Sequence, residues 1–203
     1  MISADHFYLQ PGFTPQKKFA VFLDRDGIIN QEKHLVHQKK DFILIPGVAT
    51  AIKKLNRKNI PVIVIHNAAA IYRGISTPEK VDQLNRYMLL LLKKQQAQVN
   101  AVLFCGHHPS AFAADFLKDC NWHKPKPGML QTAAKKLNLS LTQSFVIGDQ
   151  ARDILAGQAA GATSILVTTG HAGKDVVYQG TPDKTFAHLE SAINWIIKLK
   201  KLK

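Results

Sequence analysis

The chain has 203 residues, 46% of them apolar, which suits one α/β domain with a packed core and excludes collagen-like, low-complexity and disulfide-scaffold classes. Lys and Arg number 27 against 14 Asp and Glu, a formal charge of +13 that favours anionic partners. The longest aliphatic run, Met88 to Leu92, falls far short of the roughly 20 residues that span a bilayer. Residues 1–6 carry neither a basic nor an apolar leader segment, so a cytoplasmic location is expected. Cys105 and Cys120 are too few for a secreted disulfide framework, and both stand among histidines.

Strand and helix signals alternate along the chain. Phe19-Leu23, Val62-Ile65, Val99-Phe104, Phe145-Ile147 and Ser164-Val167 have the length and β-branched content of buried parallel strands. Between them, Val48, Ile52 and Leu55, then Val81, Leu84, Met88 and Leu91, then Leu130, Ala133 and Leu137, then Ile154, Leu155 and Ala159 recur at helical spacing. A last helix, at about residues 185–200, is expected to turn Phe186, Leu189, Ile193, Ile196 and Ile197 inward. This order predicts a doubly wound, Rossmann-like parallel sheet in a single domain spanning residues 1–203, with its core at about 18–170 and a minimal cap or none. Ligands of such sheets bind beyond the carboxyl ends of the strands. Residues 106–127 lack periodicity and form a long loop that needs a functional explanation.

Chemistry concentrates at those strand ends. Asp24-Arg25-Asp26-Gly27 directly follows the first strand, and the fourth ends in Gly148-Asp149 with Asp153 one helical turn on. Taken alone, the tetrapeptide reads as a strand-end turn with solvated acids. Four carboxylates converging on one edge instead require a hard cation among them, and oxygen ligands of this kind suit Mg²⁺. Lys124-Pro125-Lys126-Pro127-Gly128 brings cations on a Pro-stiffened approach to a helix, a place for charge that balances a phosphate. The doublets Lys53-Lys54, Arg57-Lys58, Lys93-Lys94 and Lys135-Lys136 and the tail from Lys198 to Lys203 read first as solvated helix faces. No aromatic interleaving accompanies them, so nucleic acid is not the favoured partner.

The order Asp-x-Asp-Gly, strand-end Asn, Lys-Pro-x-Pro-Gly and Gly-Asp-x-x-x-Asp resembles the haloacid dehalogenase superfamily of phosphatases. More narrowly, Phe22 to Asn30, Ile71-Tyr72-Arg73-Gly74, Cys105-Gly106-His107-His108-Pro109 and Lys124 to Met129 resemble the group of heptose-bisphosphate and histidinol phosphatases. The resemblance implies that Asp24 attacks phosphorus and becomes an aspartyl-phosphate. It implies that Asp26 protonates the leaving alcohol and later takes a proton from water, its backbone carbonyl also binding Mg²⁺. Asp149 would share the ion with Asp24, Asp153 would hold the ion's water shell or the lysine, and Lys124 would offset the charge of nucleophile and phosphate.

Two motifs depart from the family pattern. His66-Asn67-Ala68-Ala69-Ala70 stands where the family usually reads Thr-Asn-Gln-Ser-Gly, so His66 either donates to the phosphate or fills its pocket, with a strand-end histidine bonded to a local carbonyl as the structural alternative. Cys105, His107 and Cys120 match a zinc loop of four ligands, but Trp122 occupies the fourth position, leaving His123 or His108 to complete a Zn²⁺ set. His123 also replaces a phosphate-binding Arg of the relatives, and Arg73 is read as contacting a substrate oxyanion or as ordinary surface. The first reading is therefore a monomeric Mg²⁺-dependent phosphomonoesterase for a small sugar phosphate. A weakened paralogue that only binds a phosphorylated ligand or partner, and a polynucleotide 3′-phosphatase, are the alternatives.

Overall fold

The computed structural model describes residues 3–174 and 177–202. In chain order its elements are β1 (Asp5–Leu9), β2 (Val21–Leu23), α1 (Val48–Arg57), β3 (Val62–Asn67), α2 (Ala69–Tyr72), α3 (Pro78–Lys94), β4 (Ala101–Cys105), α4 (Gly128–Leu137), β5 (Phe145–Gly148), α5 (Ala151–Ala159), β6 (Thr163–Val167), β7 (Lys184–Phe186) and α6 (Leu189–Leu199). They form one seven-stranded sheet of order β1-β4-β3-β2-β5-β6-β7, parallel throughout except for β1. The order reverses at β2, which lies between β3 and β5. That is the switch point where such sheets open a crevice.

The five expected strands are present within a residue or two of their expected limits, because β-branched runs buried on both faces leave little alternative to a central strand. Two edge strands were not expected. β1 is half-buried, β7 is largely exposed, and both are mixed in polarity, so their hydrogen bonds rather than their composition define them. Phe186, expected on the last helix, lies in β7, and that helix runs from Leu189 to Leu199. The sheet also begins at Asp5, upstream of the expected core.

Helices α1, α3 and α6 cover one face, burying Ile52, Leu55, Met88 and Ile193 against Val62, Val64 and Ile147. Across the sheet, Met129, Leu130 and Ala133 of α4 and Ala156 of α5 pack on Phe22, Ile63 and Leu103. Each such aliphatic side chain contributes about 1.5–3 kcal/mol when fully buried. Leu92 rather than Leu91 takes the fully buried place on α3, and on α5 Ala159 is exposed while Ala156 and Gly157 face inward. Thr77 caps α3 by accepting from the Lys80 amide, with Pro78 in the first turn, and Asn138 in a left-handed conformation ends α4. No helix among the described residues is long and apolar enough to cross a membrane.

Close approach of α5 to β6 depends on Gly157, where a Cβ would stand 2.4 Å from Ser164 Oγ and 3.1 Å from Val146 Cβ. Gly157→Ala should cost about 1–3 kcal/mol by overpacking, outweighing its helix-propensity gain. Urea denaturation checks this, and an unchanged midpoint would refute the packing argument.

Candidate active site

The central strand β2 delivers Asp24 to the carboxyl edge, where its amide still pairs with the Ile147 carbonyl of β5 at 3.0 Å. The chain then folds back in a tight loop closed by Ile29 N–H to Arg25 O (2.8 Å) and Gly27 N–H to Asn30 O (2.8 Å). Gly27 has φ +80°, and a Cβ there would fall 2.4 Å from Asp149 Oδ2, so only glycine allows the first loop to lie against the end of β5.

Lys124 lies at the centre. Its Nζ donates to Asp24 Oδ1 (2.8 Å), Asp153 Oδ1 (2.5 Å) and the Ile65 carbonyl (3.2 Å), and its side chain is 2% exposed. Asp153 spends its other oxygen on the Gln150 amide at the start of α5 (3.1 Å), so of the two expected roles it takes that of holding the lysine. Asp149 is fully buried. Its Oδ2 accepts from the His171 amide (2.6 Å), while Oδ1 has no hydrogen-bond partner. Burial, then the negative charges of Asp24 and Asp153, push Asp149 up to about 8. Burial also raises Asp24 to about 7 against the pull of Lys124. Lys124 itself is held above its ordinary value: burial acts to lower it, but the charges of Asp153 and Asp24 outweigh that.

Carboxylate oxygens of Asp24, Asp149 and Asp153 lie within 4.8 Å of one another. The partnerless Asp149 oxygen and the raised proton affinities describe a donor set short of positive charge, which a divalent cation with oxygen preference fits. The Asp26 carboxylate stands outside that group. It is bound by Arg25 (Nη2 2.8 Å, Nε 3.3 Å) and Asn30 Nδ2 (2.8 Å), and Arg25 is braced in turn by the Val36 carbonyl (3.1 Å) and Asn85 Oδ1 (3.3 Å). Asn67 splints the lysine segment, its carboxamide bonding both the amide (2.9 Å) and the carbonyl (3.0 Å) of Lys124.

A cavity of about 410 Å³ opens over these groups, with Asp24, Asp26, Asn67, Arg73, Lys124 and Arg152 in its wall. Sequence reasoning had placed His66 and His123 there too, and neither reaches it. The His66 ring is 1% exposed and turns beneath the edge against Phe104, outside the cavity wall, so it does not meet a substrate. β-Strand alternation is the cause: Asn67 faces the cavity, and its neighbour must face away. His123 sits beside the cavity, its Nε2 3.0 Å from Asn67 Nδ2 and its ring edge-on to His108 and Tyr72. The exposed His34 lines the cavity, as do Tyr72 and Glu32, which sequence had not singled out.

A second cluster joins Asp5, Cys105, His107 and Cys120, again with ligand atoms within 4.8 Å of one another. Asp5 Oδ1 is 2.9 Å from His107 Nδ1, and Asp5 Oδ2 is 3.3 Å from Cys120 Sγ. Burial first, and then the charge of Asp5, push the Cys105 thiol up, and burial likewise raises Cys120. The fourth member is thus Asp5, which antiparallel pairing sets opposite Cys105, and not His108 or His123. His108 is stacked on Tyr72 (4.5 Å), and Trp122 packs on the core.

Comparison with known proteins agrees with this geometry. Residues 121–192 match the HAD-hyrolase-like family. The D-glycero-β-D-manno-heptose-1,7-bisphosphate 7-phosphatase of Yersinia pestis is 34% identical over 179 residues, covering 88% of this chain and 89% of that protein. A HAD-like phosphatase of Mesorhizobium loti superposes with a TM-score of 0.83 at 30% identity, covering 96% of this chain and 94% of its own. The D,D-heptose 1,7-bisphosphate phosphatase of B. bronchiseptica, solved with magnesium and phosphate, gives 0.79 at 26% identity, covering 89% and 99%. The chain belongs to the haloacid dehalogenase-like phosphatases. It is a phosphatase acting on a small phosphorylated substrate.

His66 carries a pH dependence. Burial first, then the charges of Arg25 and Lys124, hold its imidazole well below the ordinary histidine range, so the native state keeps it neutral. The unfolded chain takes up a proton below about pH 6.5, and stability must therefore fall as pH drops below that value. Such a group contributes a slope approaching about 1.4 kcal/mol per pH unit. Urea midpoints between pH 7 and pH 5 should fall less steeply in His66→Leu than in the natural chain, and parallel curves would overturn this account.

Proposed function

We propose that the chain is a Mg²⁺-dependent phosphomonoesterase that releases phosphate from a small sugar phosphate through an aspartyl-phosphate, as a cytoplasmic monomer. The reading rests on one observation above all: the buried Lys124 ammonium between Asp24 and Asp153, beside a partnerless Asp149 oxygen, at the floor of an open cavity. An anionic nucleophile cannot approach a phosphate dianion unless cations offset both charges. Asp24 Oδ1 is engaged by Lys124, which leaves Oδ2 to attack phosphorus while Lys124 keeps the carboxylate ionised and aimed. Asp26, two residues along the same loop, gives its proton to the leaving alcohol and takes one from the attacking water, held in place by Arg25 and Asn30. Asp24 and Asp149, with the Asp26 carbonyl, would hold Mg²⁺, and Asp153 would orient the lysine. Bound there, the ion neutralises charge on the phosphoryl oxygens.

Arg73 and Arg152 are in the wall of the same cavity as the acid cluster, and two cations beyond Lys124 suit a substrate carrying a second anion. A sugar bisphosphate of the kind named for the relatives is therefore the first substrate to assay. His66 stands where the family carries the hydroxyl that bonds the phosphoryl group, and losing an oxyanion-type donor of that kind lowers turnover by about 10²- to 10³-fold without abolishing it. The Asp5, Cys105, His107 and Cys120 cluster would hold a structural Zn²⁺, two thiolates, one imidazole and one carboxylate closing a tetrahedral set.

Two measurements test these assignments. Phosphate release from p-nitrophenyl phosphate and a panel of sugar phosphates should require Mg²⁺, stop with EDTA, and fall at least about 10³-fold in Asp24→Asn at a temperature where circular dichroism shows the variant folded. A mutant that keeps its rate would defeat the mechanism. For the second cluster, about one equivalent of zinc should remain after dialysis of the natural chain, and Asp5→Ala should weaken zinc retention more than about tenfold. Less than about 0.1 equivalent in the natural chain would count against the site.

A further inference from the structure

Because the helices run antiparallel to the parallel strands they connect, the C-terminal ends of α1, α3, α4, α5 and α6 all come to the amino edge of the sheet, opposite the acid cluster. The segments that build this edge are residues 10–20, 54–61, 91–100, 134–144, 156–162 and 196–202. Together they hold twelve Lys and Arg and no Asp or Glu. Glu190 at the start of α6 pairs with one of these cations, Lys54, at 2.8 Å, and Asp183, just before β7, accepts from the Ser164 amide. Cations at helix C-termini are ordinarily explained by the macrodipole, at about half a negative charge per helix. Five helix ends supply about two and a half negative charges, far fewer than the cations present. Among the described residues, Arg57, Lys93, Lys94, Lys135 and Lys198 are exposed and make no ion pair.

Two apolar features lie within this field. Leu9 at the end of β1 and Leu199 at the end of α6 are exposed. A cavity of about 470 Å³ opens between Tyr8, Leu89 and Val99, with Lys93 and Gln96 also in its wall. Leucines among lysines suit the interface of an anionic bilayer, where charge attraction and shallow apolar insertion add. Nucleic acid rewards stacked aromatics instead, and the edge segments carry only Phe13 and Phe19, the latter buried. We propose that the amino edge of the sheet is a docking surface for an anionic phospholipid bilayer, holding the phosphatase with its cavity turned to the aqueous side.

The experiment is flotation of the whole chain with extruded vesicles of phosphatidylcholine, with and without phosphatidylglycerol. Binding is expected only with the anionic lipid, and it should disappear between about 50 and about 500 mM salt as screening shortens the range of the charges. Combined Lys93→Gln, Lys94→Gln, Lys198→Gln and Lys201→Gln should weaken it at least about tenfold with phosphatase rate unchanged. Leu199→Ser should weaken vesicle binding while leaving binding to duplex DNA as it was. Equal binding to neutral vesicles, or none to anionic ones, would overturn the proposal. So would tighter binding to duplex DNA with no effect of Leu199→Ser on vesicles.

Discussion

The Nζ atom of Lys124 lies 2.8 Å from Asp24 and 2.5 Å from Asp153 with almost no solvent around the three, and the arrangement of the carboxyl edge follows from that contact. Two buried carboxylates with Asp149 beside them would repel strongly in a medium of low dielectric constant. Burial first, and then the mutual charge of three acids that one ammonium cannot neutralise, keeps the proton affinities of Asp24 and Asp149 raised despite Lys124. Removing one partner of such a buried set costs about 3–5 kcal/mol, so the elements that carry these residues are bound to one another by the site they form.

Precision comes from the next layer of contacts. Asn67 clamps both faces of the Lys124 peptide, and Arg25, itself braced by Asn85 and the Val36 carbonyl, clamps Asp26. These contacts link β3, α3 and the loop before α4 to the loop after β2, so the site is fixed by elements far apart in the chain. Gly27 and Gly170 permit the closeness, since a Cβ on either would occupy the space of the Asp149 carboxylate. The molecule is also polarised: Asp24, Asp26, Asp149 and Asp153 gather where β2 and β5 end, and twelve Lys and Arg lie where the helices end. A single parallel topology produces both poles, because every strand exit is a helix entrance.

Much of this was legible before any coordinates. Asp24 and Asp149 follow strand signals strong enough to place each at a strand end, Lys124 stands in the Pro-stiffened motif ahead of the α4 signal, and chemistry then required them to meet. Asp5 was not legible. It is separated from Cys105 by a hundred positions and sits in a strand of mixed polarity, so only antiparallel pairing at the sheet edge puts it beside the thiols. His66 failed in the opposite way, since the motif comparison marked its position but not the direction of its ring, and the pleat turned it into the core beside Phe104.

By itself, then, the order of residues determined the alternation of strands and helices, the edge at which chemistry would occur and the acids that would gather there. These depend on local periodicity and on the rule that parallel strands expose their carboxyl ends together. Only the folded molecule decided which acid receives the lysine, which oxygen is left without a partner, which side chain completes the cysteine cluster and where the surplus charge collects. Those outcomes depend on distances between residues remote in sequence, and close packing sets such distances in a way that no local pattern encodes.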